Sequence, residues 1–169
     1  MTDKYSNVPL AQEALFNWRS VGVKRERTHE ALTQRLTVSG TTIFSYLKDL
    51  MVFAAMVGYS EDKRISLTGQ TIEISLDTYS SDQKDGFIYL LGLLETRNGT
   101  CLKNENLRET VKVFEEYCNG GLYIITKWLD ENPSDPIGLD TLLDKVFEKL
   151  TKNRMKAPIK PTDIEIVLD

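Results

Sequence analysis

His29 is the only histidine in the chain, so any imidazole-based proton transfer or nucleophile activation would have to run through it. It stands beside Glu30, and no nucleophile motif brings a serine or cysteine near it. The pattern reads as a surface residue of a short helix. Cys101 and Cys118 have neither metal-ligand spacing nor a disulfide framework. No Gly-rich loop precedes a Lys-Ser or Lys-Thr pair, and no dinucleotide fingerprint occurs. Carboxylates remain. Glu115-Glu116 is the most conspicuous pair, and Asp49 lies in an apolar helical stretch. Magnesium-dependent nuclease chemistry needs such groups, but adjacent glutamates point about 100° apart around a helix and need a third ligand to hold one ion. The expectation is a chain with no catalytic residues, no metal and no cofactor: not an enzyme.

Phosphate recognition is the other chemistry open to these residue types. Lys24-Arg25-Glu26-Arg27 with Arg35 forms one basic cluster, and Lys145, Lys149, Lys152, Arg154, Lys156 and Lys160 form another. Neither is interleaved with aromatic side chains that would stack bases, and a solvated helix face explains each better than phosphate binding does. Net charge is −4 and the pI is near 5.2, against a dedicated nucleic-acid coat or a membrane-surface protein. The 169 residues are 41% apolar and 27% charged, the composition of one globular domain. No apolar run approaches the roughly 20 residues that span a bilayer. The polar start Met1-Thr-Asp-Lys-Tyr-Ser is unlike a signal peptide. A cytoplasmic location is expected.

The elements that would position these residues are mostly helical. Leu10, Ala14, Leu15 and Trp18 recur at helical spacing behind Pro9, and Thr28 caps a second short helix carrying Ala31, Leu32 and Leu36. Thr41 to Tyr59 is apolar on nearly every face from Leu50 onward, which predicts the central core helix; Ala54, Ala55 and Gly58 would let a neighbour approach closely. Ile65, Leu67, Ile72, Ile74 and Leu76 alternate with polar residues around Thr68-Gly69-Gln70, predicting a small hairpin or two extended segments over about 61–77. Ser80 or Ser81 caps the next helix, which stops at Asn98-Gly99. A fifth runs from near Asn104 to Asn119-Gly120-Gly121, and Leu122, Ile125, Trp128 and Leu129 continue it as a further or kinked helix. Pro133-Ser-Asp-Pro136 is the clearest linker signal. One more amphipathic helix follows through Leu139, Leu142, Leu143, Val146, Phe147 and Leu150. The ending, Asp163-Ile-Glu-Ile-Val-Leu-Asp169, repeats the pattern of Thr71-Ile-Glu-Ile-Ser-Leu-Asp77 and reads as a second short strand. The fold class is mainly α, a compact domain of about six helices with short strands near 61–77 and 163–169. Residues 1–132 form the helical domain, and 133–169 add a helix and an extended tail packed on it.

Two blocks are distinctive in order and spacing. One is Ile43-Phe-Ser-Tyr-Leu-Lys-Asp-Leu-Met-Val-Phe-Ala-Ala-Met-Val-Gly-Tyr59. The other is Val113-Phe-Glu-Glu-Tyr-Cys-Asn-Gly-Gly-Leu122, preceded by Asp85-Gly-Phe-Ile-Tyr-Leu-Leu-Gly-Leu-Leu-Glu-Thr96. Together they resemble the family of DNA phosphorothioation-associated protein four, a small Dnd-system-associated protein. Cys118 stands where that family usually has alanine. The resemblance covers roughly residues 25–132 and falls mostly on packing and junction residues. It implies a prokaryotic setting of sulfur modification of the DNA backbone and the restriction machinery that spares modified DNA. It brings no catalytic residues with it.

The resulting expectation is an accessory component of antiphage DNA defence that acts by protein–protein contact with modification or restriction subunits, with homo-oligomerisation left open. Glu115 and Glu116, without an evident packing role, and the terminal Ile164, Ile166 and Leu168 are the candidate partner-binding residues. The alternative is a DNA-binding protein contacting phosphates of double-stranded DNA through Lys24, Arg25, Arg27 and Arg35. A carboxylate nuclease is a third and weaker reading.

Overall fold

The computed structural model describes residues 16–37 and 43–153. Two helices organise it. Helix α2, Leu47–Ser60, is the apolar stretch expected to be central, and Leu50, Met51, Ala54 and Ala55 are fully buried. Helix α5, Leu107–Asp130, lies against it and is one uninterrupted helix. The expected stop at Asn119-Gly120-Gly121 does not occur. A Cβ on Gly121 would sit 1.7 Å from the Ala54 carbonyl oxygen, and one on Gly58 would sit 2.0 Å from that of Tyr117. Backbone therefore meets backbone where α2 and α5 cross, and the glycines are there for closeness, not for a turn. Gly120 plays the same part against the Lys63 carbonyl. The small residues of α2 do admit the close neighbour foreseen for them.

Around this pair lie α1, Glu30–Thr37; α3, Leu76–Ser80; α4, Asp85–Thr96; and α6, Leu139–Asn153. Tyr79 of α3 is buried against Phe114, ring centroids 6.0 Å apart and edge-on, and its hydroxyl reaches Met51 Sδ at 3.1 Å. Helix α4 ends at Arg97, whose φ of 54° is left-handed. The helix thus stops one residue before the expected Asn98-Gly99, and the Asn98 side chain instead accepts the Thr100 N–H at 2.9 Å. The described residues hold six α-helices and one two-stranded sheet. No helix among them is long and apolar enough to cross a membrane. The predicted helix from Pro9 lies almost wholly outside the described residues; only its end is described, as a single 3-10 turn at Trp18–Ser20. The predicted strand at 163–169 lies entirely outside them.

The sheet corrects the expected hairpin. Strand β1, Gly22–Glu26, pairs antiparallel with β2, Thr71–Ser75, with Val23 opposite Ile74 and Lys24 opposite Glu73. The extended segment at 71–75 exists, but its partner is a distant strand, not residues 61–70. Sequence reasoning missed β1 because three of its five residues are charged. Glu26 helps fix the pairing: its carboxylate accepts the N–H groups of Thr68 and Gly69. These bonds, that of Gly69 first, hold its pKa below the usual carboxylate value.

The Pro133–Pro136 segment is anchored, not loose. Asp135 accepts the N–H groups of Gly138 and Thr141, both at 2.8 Å, at the start of α6. Arg35 donates to the carbonyls of Asp135 and Pro136 at 2.9 and 3.2 Å. Lys149 of α6 reaches the Ser60 carbonyl at 3.2 Å and Glu61 at 2.7 Å.

Candidate functional site

Beside the unpaired side of β1, α5 presents two adjacent glutamates that diverge, as helical geometry requires. Glu115 turns to the strand and accepts the Lys24 backbone N–H at 2.7 Å. Glu116 turns the other way, accepting from Arg64 Nε at 2.6 Å and Ser66 Oγ at 3.1 Å. Between them opens a cleft of about 420 Å³ that also exposes Lys24, Thr71 and Lys112. Burial pushes the Glu115 pKa up, partly offset by the Lys24 N–H. Arg64 bridges onward to Glu95 at 2.6 Å, which in turn accepts from the Tyr117 hydroxyl at 2.7 Å. Glu116 is only 6% exposed.

These positions change what the sequence implied. Glu116 is a buried ion-pair partner, and Glu115 seals a strand edge. Both have structural work that sequence reasoning did not foresee. They aim at different groups, and among the described residues no three His, Cys, Asp or Glu side chains converge as metal ligands would.

The basic segment divides in two. Arg25 is 2% exposed; it donates to the Glu26 carbonyl at 3.0 Å and to Glu30 at 2.7 Å, and its Nε has no partner. Arg35 is held by the carbonyls of Asp135 and Pro136 in the loop before α6. Lys24 and Arg27 are exposed. A phosphate backbone could therefore meet two of the four expected side chains without rearrangement.

His29 is not a plain surface residue. Its Nε2 pairs with Asn119 Oδ1 at 2.8 Å, and Asn119 Nδ2 donates to the Ile65 carbonyl at 3.4 Å. Burial lowers the His29 pKa below its ordinary value, against the Asn119 bond and the nearby Glu26 charge, which raise it. Cys118, fully enclosed, has its thiol pushed up to about 12 by burial, so it is an inert packing group.

The feature that sequence reasoning did not single out is the outer face of α6. Its body-facing side holds buried Thr141 and Leu142 with half-buried Lys145 and Lys149. Its apolar stripe of Leu139, Leu143, Val146, Phe147 and Leu150 lies roughly a third of a turn away, at 100° per residue. That stripe is in solvent: Leu143 is 57%, Phe147 69% and Leu150 62% exposed. A groove of about 160 Å³ continues it inward along Phe53, Met56, Trp128, Val146 and Leu150. The periodicity was legible, but the side of the helix that faces the body depends on the Asp135 and Arg35 anchors, which only the fold brings together.

The two distinctive blocks meet at the α2–α5 crossing, where Gly58 lies against Tyr117, Gly121 against Ala54 and Tyr59 against the Tyr117 ring. The family model of DNA sulphur modification system-associated protein 4 matches residues 22–160. The chain belongs to this family. Membership extends past the Pro133–Pro136 loop to include α6, beyond the 25–132 that the motifs themselves span. Comparison with curated proteins and with solved structures finds no significant match. Association with a DNA sulphur modification system follows from the family. The residues of the two blocks have packing roles: Gly58, Gly120 and Gly121 by closeness, Tyr117 and Glu116 by the Arg64 network, Asn119 by its bond to His29.

Proposed function

We propose that the protein is a non-catalytic accessory component of a DNA sulphur modification system, and that it works by docking the apolar face of α6 onto a protein subunit of the modification or restriction machinery. The observation that carries this reading is the exposure of five apolar side chains on one face of an anchored helix. Monomeric proteins rarely leave contiguous apolar patches larger than a few hundred Å² in water, and aromatic anchors such as Phe147 are the usual centres of protein interfaces. Helix α6 is fixed to the body by Asp135, Arg35 and Lys149, so its face is pre-organised for binding. The cleft beside β1 offers no comparable surface, because its carboxylates are already occupied. Direct DNA binding is the weaker reading, since Arg25 and Arg35 serve the fold.

The test is purification of the tagged protein from its own host with nuclease treatment, followed by mass spectrometry. Recovery of modification or restriction subunits after nuclease supports the proposal. Recovery that vanishes with the DNA, together with DNA affinity falling steeply with salt, would replace it with the phosphate-binding reading.

A further inference from the structure

The two edges of the sheet differ: α5 packs beside β1, and no described helix packs beside β2 apart from the short α3 that follows it. The bonds Leu76 N–H to Val21 O and Arg27 N–H to Gln70 O, both 2.8 Å, frame the ladder. With the observed register, Val23–Ile74 and Arg25–Ile72 are the hydrogen-bonded pairs, and the alternate pairs turn their backbone groups outward. On the β1 side, the outward Lys24 N–H is taken by Glu115. On the β2 side, the outward N–H and C=O groups of Thr71 and Glu73 find no partner among the described residues. An open edge of this kind is a template for another extended segment.

We infer that residues 163–168 of the same chain add to this edge as a third strand. Three observations point to that occupant. The segment Asp163-Ile-Glu-Ile-Val-Leu168 has the period-two pattern of β2 itself, and Pro158 and Pro161 bar helix α6 from running into it. Ile72 and Ile74 on the inner face of β2 are only half-buried, so Ile166 and Leu168 laid on the same face would cover them. The reach also suffices. Lys149 holds the C-terminal half of α6 to Ser60 and Glu61, and β2 begins ten residues after Glu61. That connection turns back at Asp62, φ 51°, and Lys63 bonds to Gly58, so the eight residues from Lys63 to Thr71 limit the gap to roughly 28 Å. The ten residues from Asn153 to Asp163 span up to roughly 35 Å. The register that sets Val167 beside Glu73 avoids the like-charge pair that Glu165 would make there. This inference is independent of the α6 proposal.

Amide exchange measured by NMR on the full chain at a monomeric concentration tests it. The amides of Thr71 and Glu73 should exchange about 100-fold more slowly than in a Val167→Pro chain or one truncated after Lys160, a difference of about 2.7 kcal/mol in opening free energy. Equal exchange in all three chains would overturn the inference. So would protection that rises with protein concentration, which assigns the edge to a second copy, or protection seen only with an added partner protein. If truncation or the proline unfolds the chain, a Glu73→Cys/Val167→Cys pair decides: an intramolecular cross-link in the monomer supports the third strand, and its absence refutes it.

Discussion

Helices α5 and α6 are both strongly amphipathic in sequence, yet the fold treats them in opposite ways. The apolar face of α5 is sunk into the core, with Val111, Phe114, Leu122 and Ile125 almost without exposure, and its glycines press onto the α2 backbone. Helix α6 buries Leu142 and leaves its other apolar side chains in water. Packing in the first helix is committed to folding. In the second, Leu143, Phe147 and Leu150 stay more than half exposed, which is the surface the docking proposal uses. Amphipathic period alone states that a face is apolar; it does not state what covers that face.

Substitutions at the α2–α5 crossing should have the largest effect. Gly121→Val places carbons where the Ala54 carbonyl already stands, so the cost should exceed about 3 kcal/mol, read as loss of cooperative thermal unfolding. Gly86 sharpens the contrast. A Cβ there would meet nothing within 4 Å, so Gly86→Ala in α4 should be neutral or stabilise by up to about 1 kcal/mol. An equally harmful outcome at both positions would contradict the close-approach account.

The Arg64 network comes next. Glu116→Ala strips the buried carboxylate from Arg64 and Ser66; because Arg64 is about one-third exposed, the loss should be about 1–2 kcal/mol by denaturant unfolding. A smaller effect is pH-dependent. Burial lowers the His29 pKa in the folded state, so the unfolded chain binds the proton more readily. Stability due to His29 is therefore present above its unfolded value near 6.5 and lost as pH falls through the lowered folded value. His29→Gln should flatten that part of the stability–pH curve, measured by urea titration across pH 5–8. The smallest effect on stability belongs to α6: Phe147→Asp should change it by no more than about 0.5 kcal/mol.

The core was readable because its signals are local and redundant. The run from Leu50 to Tyr59 is apolar on all faces, and Ala54, Ala55 and Gly58 announce a close neighbour. Strand β1 was hidden because Lys24, Arg25 and Glu26 suggest a solvated segment, whereas Arg25 is buried through a pairing with Glu30 and a distant strand. Gly120-Gly121 misled in the opposite direction, since a double glycine is as good a helix stop as a contact point until the opposing backbone is known. Of the candidate site residues, Glu116 and Arg35 show only their charge in the sequence, and their partners, Arg64 and the Asp135 loop, lie far away in it. The open face of α6 is legible only once the anchors that orient the helix are known.

The most direct test compares the tagged wild-type protein with Phe147→Asp and Leu143→Asp by co-purification from the native host after nuclease treatment, at matched thermal stability. The account predicts that modification or restriction subunits accompany the wild type and are lost from both variants. Their equal retention by variants that fold normally would contradict it and show that α6 is not the docking surface.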